Sequence, residues 1–238
     1  MKKKTIALSA AVVVIAGAIT AFVLLNNSLG NNVEIESVIP EQSQGTETQK
    51  AGTANAAAAT GAAVTAEQLN GAWTIAEPSK VYLSVTTSKE TVNFVDPSVK
   101  GTWNVQLEDA SAMTGEGTVE MSALDSGNGQ RDEHVKGTDF LSVAEFPEST
   151  FVVKSFSELP KEWTEGTAMP VQLQGTLTVK GIAKEVTFDS QAVYSGGQLK
   201  LSGTTMVTFE DFGMSNPHSI VLDTENNLEV RLELVLSK

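Results

Sequence analysis

Val81-Tyr82-Leu83-Ser84-Val85-Thr86 places an aliphatic residue at every second position and a polar or amphipathic one between. That two-residue period marks an extended strand with one buried face, because successive side chains of a strand point to opposite sides. Moving outward, Trp103, Val105 and Leu107 alternate with Asn104, Gln106 and Glu108. The same parity returns at Val119, Met121 and Ala123, at Phe151 and Val153, and at Leu173, Leu177 and Val179. It continues at Val186 and Phe188, at Leu199, Leu201, Val207 and Phe209, and at Leu228, Val230, Leu232 and Leu234. About eight strands are expected, each with one apolar face.

The runs between them are short and rich in turn formers: Asp125-Ser126-Gly127-Asn128-Gly129, Ser195-Gly196-Gly197 and Glu225-Asn226-Asn227. Links of that length make antiparallel hairpins, since parallel neighbours need long crossovers. Asp125 to Pro147 is the one longer interruption, where Asn128 is placed to cap a short helix containing Arg131 and His134. Such strands bury one face either as two packed sheets or as a sheet closed into a barrel, and parity leaves both open. Gly117, Gly175 and Gly203 share the inward parity, so they either leave room in an interior or mark bends.

Upstream of Gly71 the chain is of another kind. Lys2, Lys3 and Lys4 precede an apolar run from Ile6 to Leu25, long enough as a helix to span about 30 Å of bilayer. Lysines beside the first apolar segment predict a cytoplasmic N-terminus and an extracytoplasmic domain. A cleaved signal peptide is the competing reading, in which Ala16-Gly17-Ala18 would be the cleavage site. Residues 31–70 are polar and alanine-rich, with no apolar face at helical spacing, and read as a flexible linker reaching some 35 Å. The expected organisation is residues 1–30 as anchor or signal, 31–70 as linker and 71–238 as folded domain. The location expected is the cell membrane with a single pass, or secreted or periplasmic after cleavage.

Composition excludes several kinds of chemistry. Acidic side chains number 29 against 16 basic ones, a formal net charge of -13 that repels phosphate backbones, so nucleic acid is not an expected partner. With no cysteine there is no disulfide, thiolate nucleophile or cysteine-rich metal site. His134 stands beside Arg131, Asp132 and Glu133, residue types suited to a general base, a metal ligand or a polar contact. On a helix Arg131 and His134 share a face and Asp132 and Glu133 point elsewhere, which favours tying the loop to the barrel. His218 follows Pro217 in a loop, and no H-E-x-x-H or G-x-S-x-G occurs, so neither a metal, a cofactor nor an enzyme is expected.

Six segments carry a family resemblance: Gly71-Ala72-Trp73-Thr74-Ile75, Asp125 through Val135, Asp139-Phe140-Leu141, Phe146 through Phe151, Gly175 through Gly181, and Asp211-Phe212-Gly213-Met214. Together and in this order they resemble the YceI-like family, across Gly71 to Leu236. The resemblance implies an eight-stranded, antiparallel, lipocalin-like β-barrel, exported from the cytoplasm, that holds a polyisoprenoid or quinone-type tail. The histidine that relatives often carry near Pro78-Ser79-Lys80-Val81 has no counterpart here. A barrel lined by Val, Leu, Met and Phe suits such a tail without any catalytic group, since each buried CH₂ contributes about 0.8 kcal/mol. Candidate lining residues are Phe94, Trp103, Val105, Met121, Phe140, Phe151, Leu177, Phe188, Val207, Phe209 and Met214, with Arg131 and His134 as head-group or loop contacts. The same residues also suit a filled core, and a barrel of that kind would serve as a non-catalytic interaction module.

Overall fold

The structure, a computed structural model, describes residues 33–39, 61–217 and 224–238. The expected anchor, most of the expected linker and His218 lie outside the described residues. Among the described residues no helix is long and apolar enough to cross a membrane.

The period-two runs become antiparallel strands: β1 (Ala63–Val64), β2 (Gly71–Thr87), β3 (Thr91–Asp96), β4 (Thr102–Val105), β5 (Thr114–Glu120) and β6 (Glu148–Phe156). They are followed by β7 (Trp163–Thr164), β8 (Met169–Val179), β9 (Ile182–Ser195), β10 (Gln198–Thr208) and β11 (Thr224–Ser237). Neighbours run β11-β10-β9-β8-β6-β5-β4-β2-β3, and β11 also pairs with β2, which closes the sheet. β3 and β4 lie along successive halves of the same edge of β2, with Val81 opposite Asp96 and Thr74 opposite Thr102. They act as one interrupted strand, so the wall is an eight-stranded antiparallel barrel. Closure settles between the two architectures that parity left open, and it leaves no long unpaired edge.

Two hairpins follow directly from local chemistry. Lys180-Gly181 and Gly196-Gly197 take positive φ at both central positions, the twist that two-residue hairpins need between right-handed strands. At Glu225-Asn226-Asn227 the turn expectation is corrected. These residues belong to β11, where Asn227 pairs with Thr208 and Thr224 with Thr87, so cross-strand bonds override turn-forming composition. Met121 to Ala123 likewise leaves the strand as a single 3₁₀ turn after Glu120, although Met121 is still buried. β3 goes unseen in the parity reading because its third inward position is a carboxylate, Asp96.

The barrel interior holds the core, with Trp73, Leu173, Phe188, Leu234 and Leu236 almost wholly buried. One end is plugged by the helical turn Ala66–Leu69: Leu69 is buried and its carbonyl accepts from Trp73 Nε1 at 2.8 Å. Lys238 Nζ donates to the carbonyls of Glu67, Gln68 and Asn70 and lies 4.7 Å from the Trp73 ring centre, satisfying acceptors that the short helix leaves open. Packing on the barrel therefore begins ahead of Gly71.

A second departure concerns Tyr82. By parity it points outward, yet it is 1% exposed while its inward neighbours Val81 and Leu83 are half-buried. The cause is the segment Val33–Ile39, which crosses the outer face of β3, β2 and β11. Asn93 Nδ2 donates to the Val33 carbonyl (3.2 Å), Glu36 N to Tyr82 Oη (3.1 Å) and Val38 N to Glu233 Oε2 (2.9 Å). Lys80 pairs with Glu36, and Ile39 is 1% exposed outside the main core cluster.

Candidate functional site

Inward side chains fill the barrel incompletely and leave three apolar cavities in a row. The first, about 30 Å³, lies beside the Leu69 plug and is lined by Trp103, Val105, Met113, Trp163 and Leu199 among others. A central one of about 50 Å³ is bounded by Ile75, Gly117, Phe151, Phe188 and Leu232. At the far end a cavity of about 100 Å³ lies under Met121, Leu124, Leu141, Phe212 and Met214. Trp103 borders both the first and the central cavity; Val81, Val119, Leu177 and Val230 border both the central and the far one. A few side chains are therefore all that interrupt an axial channel.

Among the candidate lining residues, Trp103, Val105, Met121, Phe151, Leu177, Phe188, Val207 and Met214 border these cavities. Phe94, Phe140 and Phe209 do not. Phe94 is buried with the Arg131 guanidinium 5.9 Å from its ring centre, Phe140 stacks edge-on against His134, and Phe209 is buried in the turn after β10. Sequence reasoning passed over Val81, Val119, Val230, Leu232 and Leu234 as lining residues although they share the inward parity. The three inward glycines also separate. A Cβ on Gly175 would meet the Phe151 ring at 2.8 Å and one on Gly203 would meet Ser190 Cβ at 2.7 Å, so neighbours already occupy that room. Only Gly117 faces space, with Ile75 Cδ1 its sole contact at 3.8 Å.

The Arg131 loop is held by hydrogen bonds within itself. Asn128 caps the helix Gly129–Lys136 by accepting from Arg131 N, as its position before the helix predicts. Arg131 donates from Nε to Ser126 Oγ (2.9 Å) and from Nη2 to the Ser126 carbonyl (3.2 Å). Asp132, expected to point away, is instead buried and accepts from Ser126 N at 3.0 Å and from its hydroxyl. His134 is exposed and touches Phe140.

Polar atoms within the cavity row are few and distinctive. Trp103 Nε1, Ser149 Oγ and Asp96 Oδ2 are buried without a hydrogen-bond partner among the described residues. Asp96 follows Val92 and Phe94 to the inside of β3, is 1% exposed and borders the far cavity. Its Oδ1 accepts from Ser98 N (2.9 Å) and Ser98 Oγ. Burial pushes the carboxyl above its ordinary range, more strongly than those two bonds pull it back. No sequence motif singles out Asp96; a carboxylate on the apolar parity of a strand is the one signal available.

Solved structures share this architecture. Burkholderia cenocepacia BcnA superposes with a TM-score of 0.56 at 18% identity, covering 66% of this chain and 95% of its own. A domain from Saccharophagus degradans, described as polyisoprenoid-binding and implicated in plant cell wall breakdown, gives 0.57 at 10% identity over 69% and 97%. Among curated relatives, a UPF0312 protein of Pseudomonas putida (strain GB-1) is 30% identical over 136 residues, 54% of this chain and 66% of its own length. Another from Shewanella sp. (strain W3-18-1) is 29% identical over 120 residues, 48% and 59%. The match thus spans under two thirds of these relatives' length. Residues 73–236 match the model of the YceI-like domain, nearly the whole barrel from Trp73 to Leu236. The chain belongs to the YceI-like domain family.

Proposed function

We propose that this chain is a non-catalytic binding protein that carries or sequesters a linear isoprenoid lipid in its barrel, on the extracytoplasmic side of a membrane that holds its N-terminal segment. The axial row of cavities with apolar walls carries this reading, since it matches a long, narrow hydrophobic tail. The polyisoprenoid-binding description of the Saccharophagus domain, on the same fold, supports it. Pockets for drug-sized ligands run to about 300–1,000 Å³, and the largest of the three interior cavities is about 100 Å³. Loading therefore requires Trp103 and the Val81, Val119, Leu177 and Val230 ring to part. Each CH₂ of tail that enters contributes about 0.8 kcal/mol toward that rearrangement.

A second reading, favoured by the small volume of the cavities, is a closed barrel that binds a protein partner through its rim. Native mass spectrometry of the full chain incubated with a long-chain polyprenol in detergent separates the two. A retained lipid mass, lost in Gly117→Phe, is the expected result. Absence of uptake under conditions where the barrel stays folded, together with none recovered by solvent extraction from host membranes, would remove the carrier reading.

A further inference from the structure

The far cavity differs from the other two in having a carboxyl on its wall: Ser149 borders the central cavity as well, but Asp96 borders the far one alone. Asp96 and Ser149 both border it, on β3 and β6, and Asp96 Oδ2 and Ser149 Oγ have no hydrogen-bond partner among the described residues. Both residues are more than nine-tenths buried, with relative exposures of 1% and 6%. Buried polar atoms are ordinarily paired, and leaving one unpaired is costly. Two such atoms at one apolar cavity are a site awaiting a complementary group.

We propose that the far cavity, between Asp96 and Ser149, receives the head of the bound lipid, and that this head is an uncharged oxygen group and not a phosphate or carboxylate. The inference rests on the reading that the barrel takes a lipid, and it specifies which one. A hydroxyl fits best, because it donates to one of these oxygens and accepts from the other. Among the described residues no Lys, Arg or His borders any of the three cavities, so an anionic head finds no counter-charge there. Glu120 and Lys136 act on Asp96 through space with opposite signs, so neither converts the chamber into an anion site. With the head here, the tail runs past Val81 and Leu177 into the central cavity and on toward Trp103. The cover over the head is made by Leu124, Leu141 and Met214, from the turns and loops at that end of the barrel.

The test uses the full chain and three probes sharing one tail: geranylgeraniol, geranylgeranyl phosphate and the corresponding hydrocarbon without oxygen. Occupancy is read by native mass spectrometry in competition. The alcohol is expected to be preferred roughly tenfold over each of the others, the scale of one or two hydrogen bonds. Asp96→Leu should bring the alcohol down to the level of the hydrocarbon while hydrocarbon uptake persists, which shows the variant is folded. Ser149→Ala and Asp96→Asn should give smaller losses and serve if the leucine variant does not fold. Phosphate binding as well as or better than alcohol, or an alcohol preference unchanged in these variants, overturns the head-group assignment and leaves the lipid reading standing. Uptake of none of the three overturns both.

Discussion

At Asp96 a carboxylate occupies a position that strand parity assigns to the core, and its neighbours define the consequence. With one oxygen held by Ser98 and the other unpaired among the described residues, the group costs stability when ionised. Its folded pKa is raised above the unfolded value, so the native state holds the proton longer. Stability is then greatest below the ordinary value of 3.8 and falls as pH rises from there through the raised folded value. Asp96→Leu should raise stability at neutral pH by about 1–3 kcal/mol and flatten that part of the pH profile, as measured by urea unfolding across pH. The inward glycines supply a contrast at the same level. Gly117→Ala should be tolerated, because the added methyl enters space, whereas Gly203→Ala should cost about 1–3 kcal/mol, because Ser190 stands in the way. Equal costs at the two positions would show that the Gly117 face is closed.

Among the elements, the strap Val33–Ile39 changes how the neighbouring strands must be read. Tyr82 sits on the polar parity of β2, and only a segment more than forty positions upstream makes it a buried residue. Glu233 is similar: its side chain is fully buried on the outer face, accepting from Val38 N, from Ser37 Oγ at 3.3 Å and from Ser202 Oγ at 2.8 Å. Glu233→Ala should speed hydrogen exchange at the Val38 amide while β10 amides such as that of Leu201 stay protected. Ile39→Ala should cost about 2–4 kcal/mol in urea unfolding if the strap is part of the cooperative unit. Residues 33–39 carry four aliphatic side chains, Val33, Ile35, Val38 and Ile39, a signal that the linker reading passed over, but the face they cover is set by tertiary contacts alone. The same reasoning explains Glu225-Asn226-Asn227, where local composition favours a turn and two neighbouring strands impose extended backbone. The Asn128 cap and the Gly196-Gly197 hairpin were legible because each is settled by residues adjacent in the chain.

Across the whole barrel, Trp103 is the side chain on which the interior turns. It separates the first cavity from the central one, its Nε1 lacks a partner among the described residues, and its ring packs edge-on to Phe156 at 5.9 Å. Trp103→Ala should cost about 3–5 kcal/mol in stability by thermal or urea unfolding, yet join the two cavities and raise lipid uptake. A fall in both would make Trp103 a wall of the site and not a gate. The alternation around Val81 to Thr86, the paired-glycine hairpin and the family segments determined an antiparallel sheet with one oily face, because side-chain period and turn chemistry are properties of neighbouring residues. Tertiary structure alone decided that β11 returns to β2 and closes the wall, that Phe151 and Ser190 take up the room at two of the three glycines, and that Asp96 and Ser149 border one chamber. Those outcomes depend on contacts between residues tens to more than a hundred positions apart, and no local pattern records such distances.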